Sequence, residues 1–323
     1  MTSLSRRKFV AAAGVSAAVL WSGSPRRALA AETVRMGYIA DFNGASLAAI
    51  ATDQDLWSQQ GLTPDLKVFT NGPIQIQALG AGSLDFGYIG PGALWLPASG
   101  RAKVISINTL GFSDRVIAQA GIKTIADLKG KKVGVPEGTS GDMLLRLALQ
   151  KQGMRPDDVE LVRMDPSTVV AAFASKQVDA AGIWYPLVDV IKDRVPDLNE
   201  LAKNGDFYPA LAFPSAFVAR NEVADDLTKK VVAVLKKAND FRASNLDKAI
   251  EITSKFISIP ADKLAVEAKN SKFLTTADLN AQTKDGTAAG WLTKMNEMFK
   301  DFGRVSSPLD PKEYFRADLY TSV

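Results

Sequence analysis

Thr70 to Trp95 reads TNGPIQIQALGAGSLDFGYIGPGALW, and its pattern returns in Met164 to Leu187, MDPSTVVAAFASKQVDAAGIWYPL. Aligned without a gap, Asn71 falls on Asp165, Ala78 on Ala172, Leu79 on Phe173, Asp85 on Asp179 and Ile89 on Ile183. In each copy a turn feeds a short helix, an aspartate precedes a strand of small residues, and a turn containing proline follows. Two copies predict two similar α/β lobes. Turns at the carboxyl ends of equivalent strands can face each other across a cleft, which is where open α/β sheets bind ligands.

Working outward, the pattern before and within the first copy predicts strands at 34–39, 64–69, 86–89 and 104–110. Helices are expected at 45–60, stopped by Gly61, at 73–79, and briefly from Pro91. Between the copies, Thr124 to Asp127 reads as a capping box opening a helix. KVGV at 132–135 reads as a strand, the turn PEGTSG leads into a helix at 142–152, and 159–164 is a further strand. After the second copy a helix should run from Pro186 to near Val195, and 211–219 reads as a strand interrupted by Pro214 that returns the chain to the first lobe. From Glu222 onward apolar residues recur three or four apart, which predicts a helical tail on that lobe. The expected division is 31–113 plus 214–323 for one lobe and 114–213 for the other.

Residues 1–30 read as an export signal. Arg6-Arg7-Lys8 precedes an apolar run from Ala11 to Trp21, and Ala28-Leu29-Ala30 supplies an A-x-A site. The paired arginines resemble a twin-arginine signal, and the run is too short to span a bilayer. Five of the 39 basic residues and none of the 35 acidic ones fall in this leader, so the remainder carries 34 against 35. A near-neutral chain gives no footprint for nucleic acid. Cysteine and histidine are both absent, which excludes disulfides, thiolate metal sites and the commonest general base and metal ligand. No catalytic residue, metal site or cofactor is expected, and after export the protein should be soluble and monomeric.

Four stretches in order, VRMGYI, ALGAGSLDFGYIG, IKTIADLKGKKVGVPEGTS and AAFASKQVDAAGIWYP, resemble the periplasmic substrate-binding proteins of ABC importers, in the nitrate/taurine/alkanesulfonate-binding branch. The resemblance implies an α/β, two-lobed periplasmic-binding-protein fold of type II. It also implies a small-molecule ligand between the lobes, and docking on an inner-membrane permease with its cytoplasmic ATPase. Many sulfonate and taurine binders of this family have Trp-Asp-Pro where this chain has Trp184-Tyr185-Pro186. In the taurine type that aspartate would hold the ligand amine, so a zwitterion needs Asp41, Asp142 or Asp165 instead. A small organic anion of alkanesulfonate type is the leading expectation; aromatic or aliphatic carboxylates, pyrimidine-like compounds and a sensory role are the alternatives. Some relatives of this fold serve thiamine-pyrimidine synthesis, but that chemistry depends on histidine, which this chain lacks.

Helix amino ends offer unpaired N–H groups to oxyanions. Three are candidates: Asn43-Gly44, next to Phe42; Asn71-Gly72-Pro73; and Thr139-Ser140 in the opposite lobe, with Asp142 as a dipole partner. Trp184 and Tyr185 face the small counterpart Gly90-Pro91-Gly92, which suggests a slot for an organic group. Arg115, where the chain should cross between lobes, either clamps the ligand bidentately or pairs with Asp114 or a hinge carboxylate. Closure should hinge near 112–116 and 211–216.

Overall fold

The computed structural model describes Ala31–Val323 as one compact unit; the leader assigned to residues 1–30 lies outside the described residues. From the first strand the chain runs β1 (Glu32–Ile39), α1 (Phe42–Asp53), β2 (Leu62–Phe69), α2 (Gly72–Gly80), β3 (Phe86–Ile89), α3 (Trp95–Ala98) and β4 (Lys103–Gly111). It then forms β5 (Asp114–Ala118), β6 (Lys132–Val135), α4 (Ser140–Lys151), β7 (Glu160–Arg163), α5 (Pro166–Ala174), β8 (Ala180–Trp184), α6 (Leu187–Lys192) and β9 (Asn199–Lys203). β10 (Pro214–Ala219) precedes a helical remainder: α7 (Asp225–Ser244), α8 (Leu246–Ile257), α9 (Ala261–Lys269), α10 (Thr276–Lys284), α11 (Thr287–Asp301), α12 (Pro311–Tyr314) and α13 (Ala317–Ser322), with β11 (Ser271–Phe273) between α9 and α10.

The strands form two sheets with related orders, β11-β4-β10-β3-β1-β2 and β7-β6-β8-β5-β9. In each, three parallel strands joined through helices are followed by an antiparallel strand supplied by the chain crossing between sheets, β10 in the first and β5 in the second. Helices packed on these mixed sheets bury both faces, and β3, β5, β8 and β10 are buried along their whole length. The fold is the expected two-lobed α/β architecture with a helical tail on the first lobe.

The aspartates of the sequence repeat do the same work in both lobes. The Asp85 carboxylate accepts the Arg35 N–H at 3.2 Å while its own N–H donates to Arg35 O at 2.9 Å. Asp179 repeats the pair with Lys132, at 2.9 and 2.8 Å. Each aspartate thus pins the entry of the third strand to the start of the first.

Several elements differ from the sequence expectation. α1 begins at Phe42 and stops at Asp53, after which Ser58–Gln60 forms one 3-10 turn. The capping-box bonds between Thr124 and Asp127 form, but they open only the 3-10 turn Ala126–Leu128. β5 and β9 carried no strand expectation: β5 is short and interrupted by Arg115, and β9 is a polar edge strand. Pro214 opens β10 instead of interrupting it, since a first position has no ladder N–H to lose. Among the described residues no helix is long and apolar enough to cross a membrane.

Candidate functional site

The two crossings lie side by side. Gly111 N–H donates to Phe213 O at 2.9 Å, and Phe112 N–H donates to Asn270 O at 2.8 Å. Above them the carboxyl ends of β1, β3 and β8 and the amino ends of α1, α2 and α4 converge on a cavity of about 540 Å³, counted with the space open at its mouth. Both lobes wall it: Asn43, Asn71, Gly72, Pro73, Tyr88, Gly90 and Pro91 from the first, Asp114, Thr139, Ser140 and Trp184 from the second. Thr109 of β4, Ser215 of β10 and Glu267 of α9 also line it.

The lobes touch at the rim that carries Gly92. A Cβ added at Gly92 would stand 2.1 to 2.2 Å from the Thr139–Ser140 backbone, so only glycine permits this approach. Nearby, Trp95 Nε1 donates to Gly138 O at 3.3 Å, and Arg304 reaches across to Glu137 at 3.2 Å and to Asp142.

Of the residues singled out in the sequence, Asn43, Asn71, Gly72, Pro73, Gly90, Pro91, Thr139, Ser140 and Trp184 come together on this cavity. The others sit elsewhere. Phe42 is fully buried, edge-on to Phe273 at 5.7 Å. Gly44 packs against the Ile39 carbonyl. Asp165 is exposed at the start of α5, on the outer side of the lobe junction. Arg115 donates to Glu200 Oε2 at 3.0 Å, to the carbonyls of Phe112 and Asp114 at 2.7 Å, and to Asn270 Oδ1 at 2.9 Å, so the hinge-carboxylate alternative describes its pairing. Tyr185 turns under that guanidinium, 5.1 Å from its ring centre, where its hydroxyl accepts from Lys192 at 2.7 Å and donates to Glu200 at 3.2 Å.

Three carboxyl groups line the cavity: Asp41, Asp114 and Glu267, exposed by 5%, 4% and 1%. Asp41 caps α1, accepting the Gly44 N–H at 2.6 Å. Glu267 takes the two preceding amides of the same helix, Phe42 N–H at 2.6 Å and Asn43 N–H at 3.0 Å. The amino end of α1, expected to receive a ligand oxyanion, is therefore already occupied by carboxyl oxygens of the protein itself. Asp114 exchanges two bonds with Asn204, both 2.9 Å.

Burial pushes Asp41 up to about 7, against the bonds from Gly44 and the Trp184 indole that favour its charged form, with Asp114 adding to the rise. Burial likewise raises Asp114, opposed by bonds from Ser140 and Asn204. It raises Glu267 well above the carboxylate range, with Asp41 as the next contributor. No lysine or arginine is among the lining residues. Without a basic side chain beside them these buried carboxyl groups are drawn toward the neutral, protonated form, and a cation placed among them would draw them back to the ionised one.

An aspartate directly after the first predicted strand was a visible signal for Asp41. Glu267 gave none, because it sits in an ordinary helical pattern.

Two lobes of matching topology around one cavity place the chain among the binding proteins of the periplasmic-binding-protein fold. It belongs to the NMT1/THI5-like family, whose profile matches residues 46–249. A protein of Brucella abortus (strain 2308), described only as a binding protein, is 61% identical over 292 residues, covering 90% of this chain and 92% of its own. A protein of Escherichia coli (strain K12) named for binding aliphatic sulfonates is 30% identical over 269 residues, covering 78% of this chain and 80% of its own. The crystal structure of the periplasmic aliphatic sulphonate binding protein SsuA from Escherichia coli superposes with a TM-score of 0.65 at 22% identity, covering 88% of this chain and 91% of that one. That likeness is one of fold. All three are named for binding, none for catalysis.

Proposed function

We propose that this chain is the periplasmic solute-binding component of an ABC importer, capturing one small molecule between its lobes and presenting the closed form to a membrane permease and its ATPase. The observation that carries this is the cavity itself, walled by strand ends and helix starts from both lobes. A ligand touching both walls stabilises the closed arrangement over any open one, which is what differential affinity between two states requires. The bodies that move would be 31–113 with 214–323, and 114–213, turning at the two crossings. The name of the Escherichia coli relative favours an alkanesulfonate as the solute, which is also the leading expectation from sequence.

The test is a thermal-shift screen of the purified chain against sulfonates, carboxylates, amines and heteroaromatic compounds. A solute at 100 times its dissociation constant adds about 2.7 kcal/mol to stability. Trp184→Ala should then weaken binding by about tenfold, a loss of about 1.4 kcal/mol, while the variant still folds. Unchanged affinity would place the solute outside this cavity.

A further inference from the structure

We infer that the solute is a small organic cation, a protonated amine or amidine-type nitrogen on an apolar or aromatic body, held by the carboxyl groups of Asp41, Asp114 and Glu267. This rests on the reading that the cleft is the solute site, and it departs from the sulfonate expectation. Three observations carry it.

The first is the balance of charge at the wall. Three carboxyl side chains line the cavity and no basic side chain does. The nearest guanidinium groups are engaged elsewhere. Arg115 is turned to Glu200 and to backbone carbonyls. Arg242 of α7 is committed to Ser46, Asn108 and Asn239 at 2.8 to 3.2 Å. An anion entering this cavity finds carboxyl groups and no basic partner among the lining residues.

The second is the use already made of the oxyanion donors. Both oxygens of Glu267 and one of Asp41 occupy successive amides at the start of α1. A sulfonate would have to displace the protein's own carboxylates from them. A cation instead completes the arrangement, because those amides hold the carboxylates in place while their remaining lone pairs accept from a donor nitrogen.

The third is the character of the other walls. Trp184 and Tyr88 supply aromatic surface beside Pro73 and Pro91, and the faces of aromatic rings attract cations, tryptophan most strongly. The hydroxyls of Thr109, Ser140 and Ser215 add further acceptors. Burial raises all three carboxyl groups, and a cation among them draws them back to the ionised form.

The experiment is isothermal titration calorimetry on the full chain with benzylamine and butylamine against ethanesulfonate and benzoate. In parallel, the chain is equilibrated with a bacterial metabolite extract and the retained small molecules are identified by mass spectrometry. The expected result is binding of amines only, retention of cationic molecules, and at least tenfold weaker amine binding in Asp41→Asn and Glu267→Gln. Asp41→Asn keeps an oxygen for the Gly44 amide, whereas Glu267→Gln keeps one for only one of its two amides, so the melting curves are recorded first; if Glu267→Gln does not fold, Asp114→Asn replaces it. Binding of sulfonate or benzoate without amines, lost in Trp184→Ala, overturns the ligand class and leaves the cleft as the solute site. Amine binding unchanged in the carboxyl variants overturns the assignment of the three residues. No binding by any probe and nothing retained from the extract overturns the cleft reading and the ligand class together.

Discussion

Each lobe starts its first helix with a buried aspartate, and the two live in opposite surroundings. Asp142 in α4 accepts the Gly138 N–H at 2.9 Å and is matched by Arg146 at 2.8 Å and by Arg304 from the other lobe. Asp41, at the start of α1, has carboxyl groups for neighbours and no basic partner. The same topology therefore serves two ends. In the second lobe the aspartate is matched by arginines and ties the lobes together, while in the first the carboxyl group faces the cavity with no basic partner among the described residues. A repeated scaffold does not repeat its chemistry.

The contrast breaks most visibly at the rim. Gly92→Ala would drive a methyl into the Thr139–Ser140 backbone, so the closed state should be depopulated and solute affinity should fall on the order of a hundredfold. At Gly90 the added Cβ would stand 3.8 Å from Ser140 Oγ, an ordinary contact, and affinity should change by about threefold or less. Calorimetry measures both, and small-angle scattering should show that Gly92→Ala no longer compacts with ligand. Equal losses would mean that closure does not use this rim.

The repeated aspartates sharpen the comparison next. Asp85 holds Arg35 at 2.5 Å and Arg220 at 3.3 Å besides the shared backbone link. Asp85→Ala should therefore cost about 2–3 kcal/mol in urea unfolding and Asp179→Ala about 1 kcal/mol. Equal costs would show that the backbone link alone carries both lobes.

pH separates the two aspartates as well. The folded Asp41 carboxyl holds its proton up to about 7, whereas an unfolded aspartate releases it near 3.9. Between those values the folded state binds more protons, so this group removes stability as pH rises from about 4 to about 7. Asp41→Asn should be near neutral at pH 4 and stabilise the ligand-free protein at pH 8, read from melting temperatures. Glu267 and Asp114 face the same cavity and shift the window together with it. Asp142→Asn, which removes the charge that Arg146 and Arg304 share, should destabilise instead; the same sign in both variants would erase the distinction between the lobes.

Much of this architecture was legible because it is local. The repeat gave the paired strands and helices, and turns after strands put Asn43, Asn71 and Thr139 at the cavity. Tyr185 shows where the reading went too far. Successive side chains at a strand end point to opposite sides, so with Trp184 on the cavity its neighbour had to turn away, toward Lys192 and Glu200. Asn71 and Asp165 are equivalent in sequence, yet only Asn71 lines the cavity, because the cavity forms at the face where the lobes meet and each lobe presents a different flank to it. Glu267 was beyond sequence reasoning: it arrives from 225 residues away, carried by a helix whose pattern predicts nothing but burial on one face.

That remote glutamate makes the helical tail more than a buttress. A chimera joining these two α/β lobes to the tail of another protein of the same fold would keep its sheets, crossings, rim and Asp41 yet lose Glu267 from the start of α1. Transplanting the specificity of this protein therefore requires α9 as well as the lobes, and changes in ligand preference can arise through substitutions in a segment that neither lobe's strand-helix repeat contains.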